Sequence, residues 1–416
     1  MSGKTISLIF MLYSIFGLLL YETRVLTDID ELTAFAFGLL VFIKTFTHKI
    51  SFSKAFFLWI LIDVFYLIYS FSLHLNEPIA VFSDFIMQSK PYMMFFALVA
   101  LKPQLSRNEM IILRIFLILM LMSVLLIAYL YPHKDDSTHI GELLTGAALS
   151  SVSMIFAAAY YIFSQNDSWI TRLITIIIAL PGFLHPTSKF VGQLIFMIFV
   201  MFFIKKKISF NIRYILMFTA ILAIVSYAIW DDFKFYFLTD SMVNARPIMY
   251  IQMPSVLVDY APFGSGFATY ASFASGTWYS PLYSKYNMEY IWGLREGEAD
   301  FVADAYYPCL AQFGFVGIVL FIWLIVYVVR KSRKLYDKTL NLKQYKGSLI
   351  AVAIILIECT TASFSNERSI MHMILLYFAI TPMRKDKRIT QLDSFGLSFA
   401  KSIKKKVKTN ENTTDK

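Results

Sequence analysis

The sequence predicts an all-α protein that crosses a lipid bilayer about twelve times, with one large outer loop between spans nine and ten. Three observations predict it. Of 416 residues, 58% are hydrophobic and only 16% charged, where a soluble domain carries about a quarter. Apolar runs near the roughly 17–25 residues of a bilayer-spanning helix recur along nearly the whole chain. Lysine and arginine gather in alternate connections between those runs. The same composition excludes a soluble enzyme, a disordered chain and a fibre. Two cysteines, Cys309 and Cys359, are too few for a disulfide framework or a Cys-rich metal site.

The runs fall at 5–21, 32–48, 55–73, 84–101, 110–131, 142–163, 169–185, 188–204, 211–230, 306–329, 348–364 and 369–383. Few alternate with period two, which argues against a transmembrane barrel. The first follows the single charge Lys4 and resembles a signal peptide's apolar region. No small-x-small cleavage site follows it, only Tyr21-Glu22-Thr23-Arg24, so it is expected to be retained. The fourth is interrupted by Lys90 and Pro91, and the last two are short.

Orientation follows from the basic residues. With a cytoplasmic N-terminus, the inner connections hold Lys44, Lys49 and Lys54, then Lys102 and Arg107, then Lys205, Lys206, Lys207 and Arg213. Arg330, Lys331, Arg333, Lys334 and a basic tail over 384–416 complete the set, so both termini are expected inside. This topology accounts for the net charge of +10. The cations face anionic lipid, and no nucleic-acid partner is expected. Residues 1–383 form one bundle in this reading.

Most connections are short, but 231–305 runs for about 75 residues on the outer face, and a connection of that length is usually functional. It carries nine acids, four bases and many aromatics, among them Tyr250, Tyr260, Tyr270, Trp278, Tyr283, Tyr290 and Trp292. Aromatic faces with polar groups between them suit sugar rings; packing of a small loop domain or a belt at the lipid interface explains them equally well. Phe263-Gly264-Ser265-Gly266-Phe267 reads as a tight turn, a weak phosphate-binding signal on its own. If 295–304 is helical, Glu296, Asp300 and Asp304 share one face, either as a carboxylate site or as a solvated face.

Ionisable residues within spans default to a functional hypothesis. Asp63 and Glu358 lie mid-span, and Glu358 could partner Arg368 or Lys90, or serve an interhelical hydrogen bond. Lys90 sits about two turns inside the fourth span, where a charge costs roughly 2–3 kcal/mol unless it snorkels or finds a partner. Asp28-Ile29-Asp30 is a weak candidate for a divalent cation, and the six histidines have no ligand spacing. No metal and no cofactor are expected.

Three features together resemble the O-antigen and capsular polysaccharide polymerases (Wzy type) of the O-antigen ligase and polymerase superfamily. One is the layout, with a single large outer loop placed late. Another is His185-Pro186-Thr187-Ser188-Lys189-Phe190, similar to the superfamily's Ser-Arg pair but with Lys189 for the arginine. The third is the loop order Asn244-Ala245-Arg246-Pro247, then Ala261-Pro262-Phe263-Gly264-Ser265-Gly266, then Asp304-Ala305-Tyr306-Tyr307 and Gln312-Phe313-Gly314-Phe315-Val316-Gly317. The motifs cover 185–320. Asp304 stands where the ligases place a histidine, which favours polymerase over ligase.

The resemblance implies a metal-independent glycosyltransferase of the bacterial cytoplasmic membrane, active at its outer face. It would move a growing glycan from a polyprenyl diphosphate onto a lipid-linked repeat unit, beside a chain-length regulator and a flippase. Cations would stabilise the departing diphosphate and a carboxylate would deprotonate the acceptor hydroxyl. The residues that fit are Arg246 and Arg295, with Asp304 and then Asp300 as base. Lys189, Lys90, Arg368 and Glu358 would hold the lipid diphosphate. The alternatives are a ligase and a flippase or other transporter; the halves of the chain have no convincing repeat of the kind transporters carry.

Overall fold

The structure is a computed structural model that describes residues 28–130, 147–207, 234, 244–303 and 305–382. Among the described residues the chain is all-helical, without a strand. Its elements are α1 (Ile29–Phe46), α2 (Lys54–Leu73), α3 (Pro78–Leu101), α4 (Arg107–Leu130), α5 (Ala147–Phe163), α6 (Trp169–Ala179) and α7 (Ser188–Phe203). After these come α8 (Ala245–Asp259), the short α9 (Phe273–Thr277), α10 (Pro281–Lys285) and α11 (Tyr306–Cys309), then α12 (Gly314–Thr339), α13 (Leu342–Glu358) and α14 (Ser369–Ala379).

Ten of the twelve apolar runs coincide with helices; the runs 5–21 and 211–230, and the tail, lie outside the described residues. Two helices are long and apolar enough to cross a membrane, Lys54–Leu73 and the composite Tyr306–Thr339. Others are shorter because a local feature ends them. A 3-10 turn at Leu180–Leu184 finishes the α6 run, with Pro181 in its first turn. α13 begins six residues before the eleventh apolar run, and Lys343 and Lys346 are buried in its first turns. Pro91 does not break α3; the helix continues through it, at the cost of one backbone hydrogen bond.

Four elements make the centre. The second half of α3, α5, α13 and α14 are buried on nearly every face. α14 packs on α3, α5 and α13, and α13 also contacts α5, α7 and α12. Around this centre α1, α2, α4, α6 and α12 turn large apolar side chains outward, Leu61 of α2 at 67% and Val319 of α12 at 63% exposure. An apolar girdle of that extent is foreign to a water-facing surface.

The connections sort into two ends. At one, α13 enters among the C-termini of three other helices, whose last carbonyls lack intrahelical donors. Lys343 donates to Ile162 O of α5 (2.5 Å), Lys346 to Met201 O of α7 (2.8 Å), and Gln344 to Thr381 O beyond α14. Cations at helix C-termini also meet the negative end of the dipole. Lys49, Lys102 and Lys205 to Lys207 stand in connections at this basic end. At the other end lie the 244–303 segment and the turns after α2 and α13.

Asp167 binds the basic end together. Arg172 donates to it through Nε (2.8 Å) and a second nitrogen (2.9 Å), and Lys346 reaches it at 2.7 Å. Burial pushes the Asp167 carboxyl up, but Arg172 and Lys346 outweigh burial and hold it below 3.8. A lowered folded value means the stabilisation is complete above the unfolded value and is lost as pH falls through the folded one. Asp167→Asn, which leaves buried Lys346 without its counter-charge, is expected to cost about 1–3 kcal/mol at neutral pH. Thermal unfolding of detergent-purified protein along a pH series checks it: the gap between wild type and variant should close in acid, and a constant gap would refute the assignment.

The 244–303 segment is docked on the helices rather than hanging from them. The Tyr69 hydroxyl donates to Gly264 O and Tyr66 to Phe313 O, each 2.8 Å. Asn76 donates to Ala268 O and Trp278 O, and Asp84 of α3 accepts from Ala268 N at 2.7 Å. Gly264 has φ +85° and Gly314 φ +63°, and their backbones touch. A Cβ on either would strike the other's main chain, so the glycine-rich turn and the glycine opening α12 are two halves of one close approach.

Candidate functional site

Glu358, the last residue of α13, is the centre of a hydrogen-bonded group at the loop end. It is 2% exposed. α7 starts beside it because the Thr187 hydroxyl caps the first turn, accepting from Phe190 N. That start places Lys189 and Gln193 one turn apart on the same face. Lys189 Nζ donates to Glu358 Oε1 at 2.8 Å, Ser151 of α5 donates to the same oxygen at 3.0 Å, and Gln193 Nε2 donates to Oε2 at 3.0 Å. Both carboxylate oxygens are therefore engaged, the condition under which a buried ion pair is tolerated.

Two more groups reach Glu358 electrostatically, Arg368 and His372, again one turn apart where α14 begins. Arg368 also pairs with Glu367 at 3.0 Å. Past Glu358 the chain turns, and its carbonyls are claimed: Cys359 O accepts from Tyr306 N at 3.0 Å, and Thr360 O from the Tyr250 hydroxyl at 2.8 Å. Burial pushes the Tyr250 phenol up, with Cys359 adding to it, while Arg246, one turn earlier on α8, pulls it down. Lys189 and Arg368 thus act on Glu358 where α13 ends, and Arg246 stands beside Tyr250, which bonds the turn that follows. Cations gathered from separated stretches of sequence at one end suit an anionic group.

No family model matches the chain, and no curated protein matches it.

Of the residues the sequence singled out, Lys189, Glu358, Arg368 and Arg246 are brought to this one end. Lys90 is not among them. It is 3% exposed and bound between Asp30 and Glu31 of α1, 2.5 Å from each. It therefore neither snorkels nor partners Glu358, and it leaves Asp30 facing a lysine rather than open to a divalent cation. The expected carboxylate ladder on 295–304 is absent from the described residues. That stretch turns instead of coiling, with Arg295 and Glu298 in an isolated bridge and Gly297 at φ +78°. Arg295 is half exposed, touches Tyr290 O and pairs with Glu298 only at 3.9 Å; Asp300 is exposed. Asp304 lies outside the described residues. The Gly264-Ser265-Gly266 turn is occupied by backbone contact with Gln312 and Gly314, which explains its glycines without a phosphate.

The loop aromatics divide. Tyr270 and Tyr283 stack in the segment's own interior, Phe267 is buried against Tyr66, Phe85 and Phe313, and Tyr290 and Trp292 face outward at 73% and 58% exposure. Lys285 lies over the Tyr260 and Tyr286 rings and pairs with Asp259. Sequence reasoning missed Ser151 and Gln193 as partners of Glu358. Gln193 was readable as the amide in the apolar run that follows Lys189, one turn on; Ser151 is one serine among several in α5.

Proposed function

We propose that the protein is a bacterial polysaccharide polymerase of the cytoplasmic membrane, a twelve-span glycosyltransferase with both termini inside and the 231–305 loop at the outer face. The observation that carries the reading is the gathering of Lys189 and Arg368 around Glu358, with Arg246 at the same end beside Tyr250. The apolar girdle and the gathering of lysines at the opposite end support the membrane placement.

In this reading the acceptor sugar's hydroxyl attacks the anomeric carbon of the lipid-linked glycan. The bond to the diphosphate breaks, and the diphosphate leaves with the electron pair. Arg246 and Arg368 take up the charge that develops on it, Arg by paired hydrogen bonds. Glu358, with both oxygens engaged, is a positioning residue that fixes Lys189 and Gln193. The acceptor proton passes to a loop carboxylate, Asp304 or Asp300.

The test is surface glycan from cells lacking the gene, complemented with wild type, Arg246→Ala or Arg295→Ala. Arg246→Ala is expected to collapse the ladder to single repeats at normal protein level, a loss of about a hundredfold or more, as for removal of one donor to a developing charge. Arg295→Ala, exposed and weakly paired, should keep a full ladder. Long lipid-linked polymer with none on its final acceptor would mean a ligase, and single units trapped inside would mean a flippase.

A further inference from the structure

A pocket of about 330 Å³ opens between α2 and α12, the lower end of small-molecule sites at roughly 300–1,000 Å³. Leu58, Trp59 and Ile62 line it from α2, and Leu320, Trp323 and Leu324 from α12. Leu58 and Trp323 are more than half or half exposed on the girdle, so the mouth faces the apolar surroundings. The two helices that form it are the two long and apolar enough to cross a membrane.

The deep wall is polar, and its hydrogen bonding is incomplete. Asp63 accepts one hydrogen bond, from the Ser89 hydroxyl at 2.7 Å, and no other among the described residues. Tyr92 and Tyr306 share one hydrogen bond between their hydroxyls at 2.6 Å. One donates to the other, so one of the two protons has no acceptor among the described residues. Asp63 lies close enough to act electrostatically on Tyr92. Gln88, in the same wall, donates to Asp84 and Cys309 while its Oε1 has no partner. A wall with spare acceptors and one spare donor, shut away from water, is stabilised by a guest that satisfies both.

We propose that this pocket takes a hydrocarbon chain ending in a hydroxyl, entering from the lipid side between α2 and α12. A hydroxyl can donate to Asp63 and accept from the tyrosine pair. A carboxylate or phosphate head brings a second acidic group against Asp63, an alkylammonium has no lone pair for the tyrosine proton, and an alkane leaves both groups unsatisfied. The pocket is separate from the Glu358 group, although Tyr306 stands between them, lining the pocket with its ring and bonding Cys359 O with its N–H. The inference rests on the membrane placement proposed above and not on glycosyl transfer.

The experiment uses full-length protein in phosphatidylethanolamine–phosphatidylglycerol vesicles and hexadecanol carrying a mid-chain diazirine. Light should attach the probe to α2 and α12 peptides. Excess hexadecanol should suppress labelling, and hexadecane, hexadecanoate and hexadecylamine should not. Asp63→Asn should weaken labelling about tenfold, the worth of one charge-assisted hydrogen bond, and Leu320→Trp, which fills the space, should abolish it. Equal competition by hexadecane overturns the hydroxyl site while leaving the helices lipid-facing; so does stronger competition by polyprenyl phosphate, which would make the space part of a donor-lipid path. Labelling confined to other helices overturns the pocket, and failure of the protein to enter vesicles overturns the membrane placement itself.

Discussion

Lys189→Met is expected to destabilise the protein by about 3 kcal/mol and to abolish polymer formation. It leaves the Glu358 carboxylate, 2% exposed, without its direct counter-charge, and breaking a buried pair from one side costs roughly 3–5 kcal/mol. The lower end applies because Arg368 still acts on Glu358 and Ser151 and Gln193 still donate to it. Thermal unfolding in detergent gives the stability, and the glycan ladder gives the activity. Lys189→Arg, which keeps a cation on Glu358, should retain both. The double variant Lys189→Met with Glu358→Gln removes the orphaned charge, so it should regain much of the stability and none of the ladder. That split separates holding the fold from handling an anion. A full ladder from Lys189→Met at normal abundance would falsify the role given to this end of the molecule.

Gly264→Ala should be the most damaging change in the loop segment. The residue has φ +85°, where a non-glycine residue costs about 1–3 kcal/mol. Its new Cβ would also enter the backbone of Gln312 and Gly314, and neither can yield without moving the start of α12. Overpacking adds roughly 1–3 kcal/mol, so the two together cost about 2–6 kcal/mol. The expected result is detachment of the segment, read as rapid proteolysis between Gly264 and Phe301 while the rest of the chain stays protected. Ser265→Ala, at the neighbouring position, loses a hydroxyl contact with Thr269 and should stay docked. Equal protease resistance of Gly264→Ala and wild type would sink the close-approach account.

The helices were legible because apolar length is written directly in the chain. Their ends were less so. The start of α13 lies outside the apolar run because Lys343 and Lys346 interrupt the hydropathy, and only the carbonyls of α5 and α7 that they meet make them interior residues. Half of the candidate site was readable for a similar reason: Lys189, Glu358 and Arg368 are charges inside or beside apolar runs, rare enough to be noticed singly. Their pairing was not readable. Nothing local tells Glu358 to choose Lys189 over Lys90, since that choice is made by how α7, α1 and α3 are arranged around α13. The 295–304 stretch failed differently: its acids have helical spacing, but Gly297 at positive φ turns the chain first.

α13 is gripped at both ends, by helix C-termini around Lys343 and Lys346 and by Lys189, Ser151 and Gln193 around Glu358. It also follows α5 and α7, the helices it joins, in chain order. Until it emerges, the α7 lysine has no carboxylate, and the final carbonyls of α5 and α7 have no donors, all in surroundings where unmet polar groups are costly. Assembly of these helices therefore depends on α13. Before it docks, α5 and α7 lack these partners, and its docking closes the assembly at both ends at once.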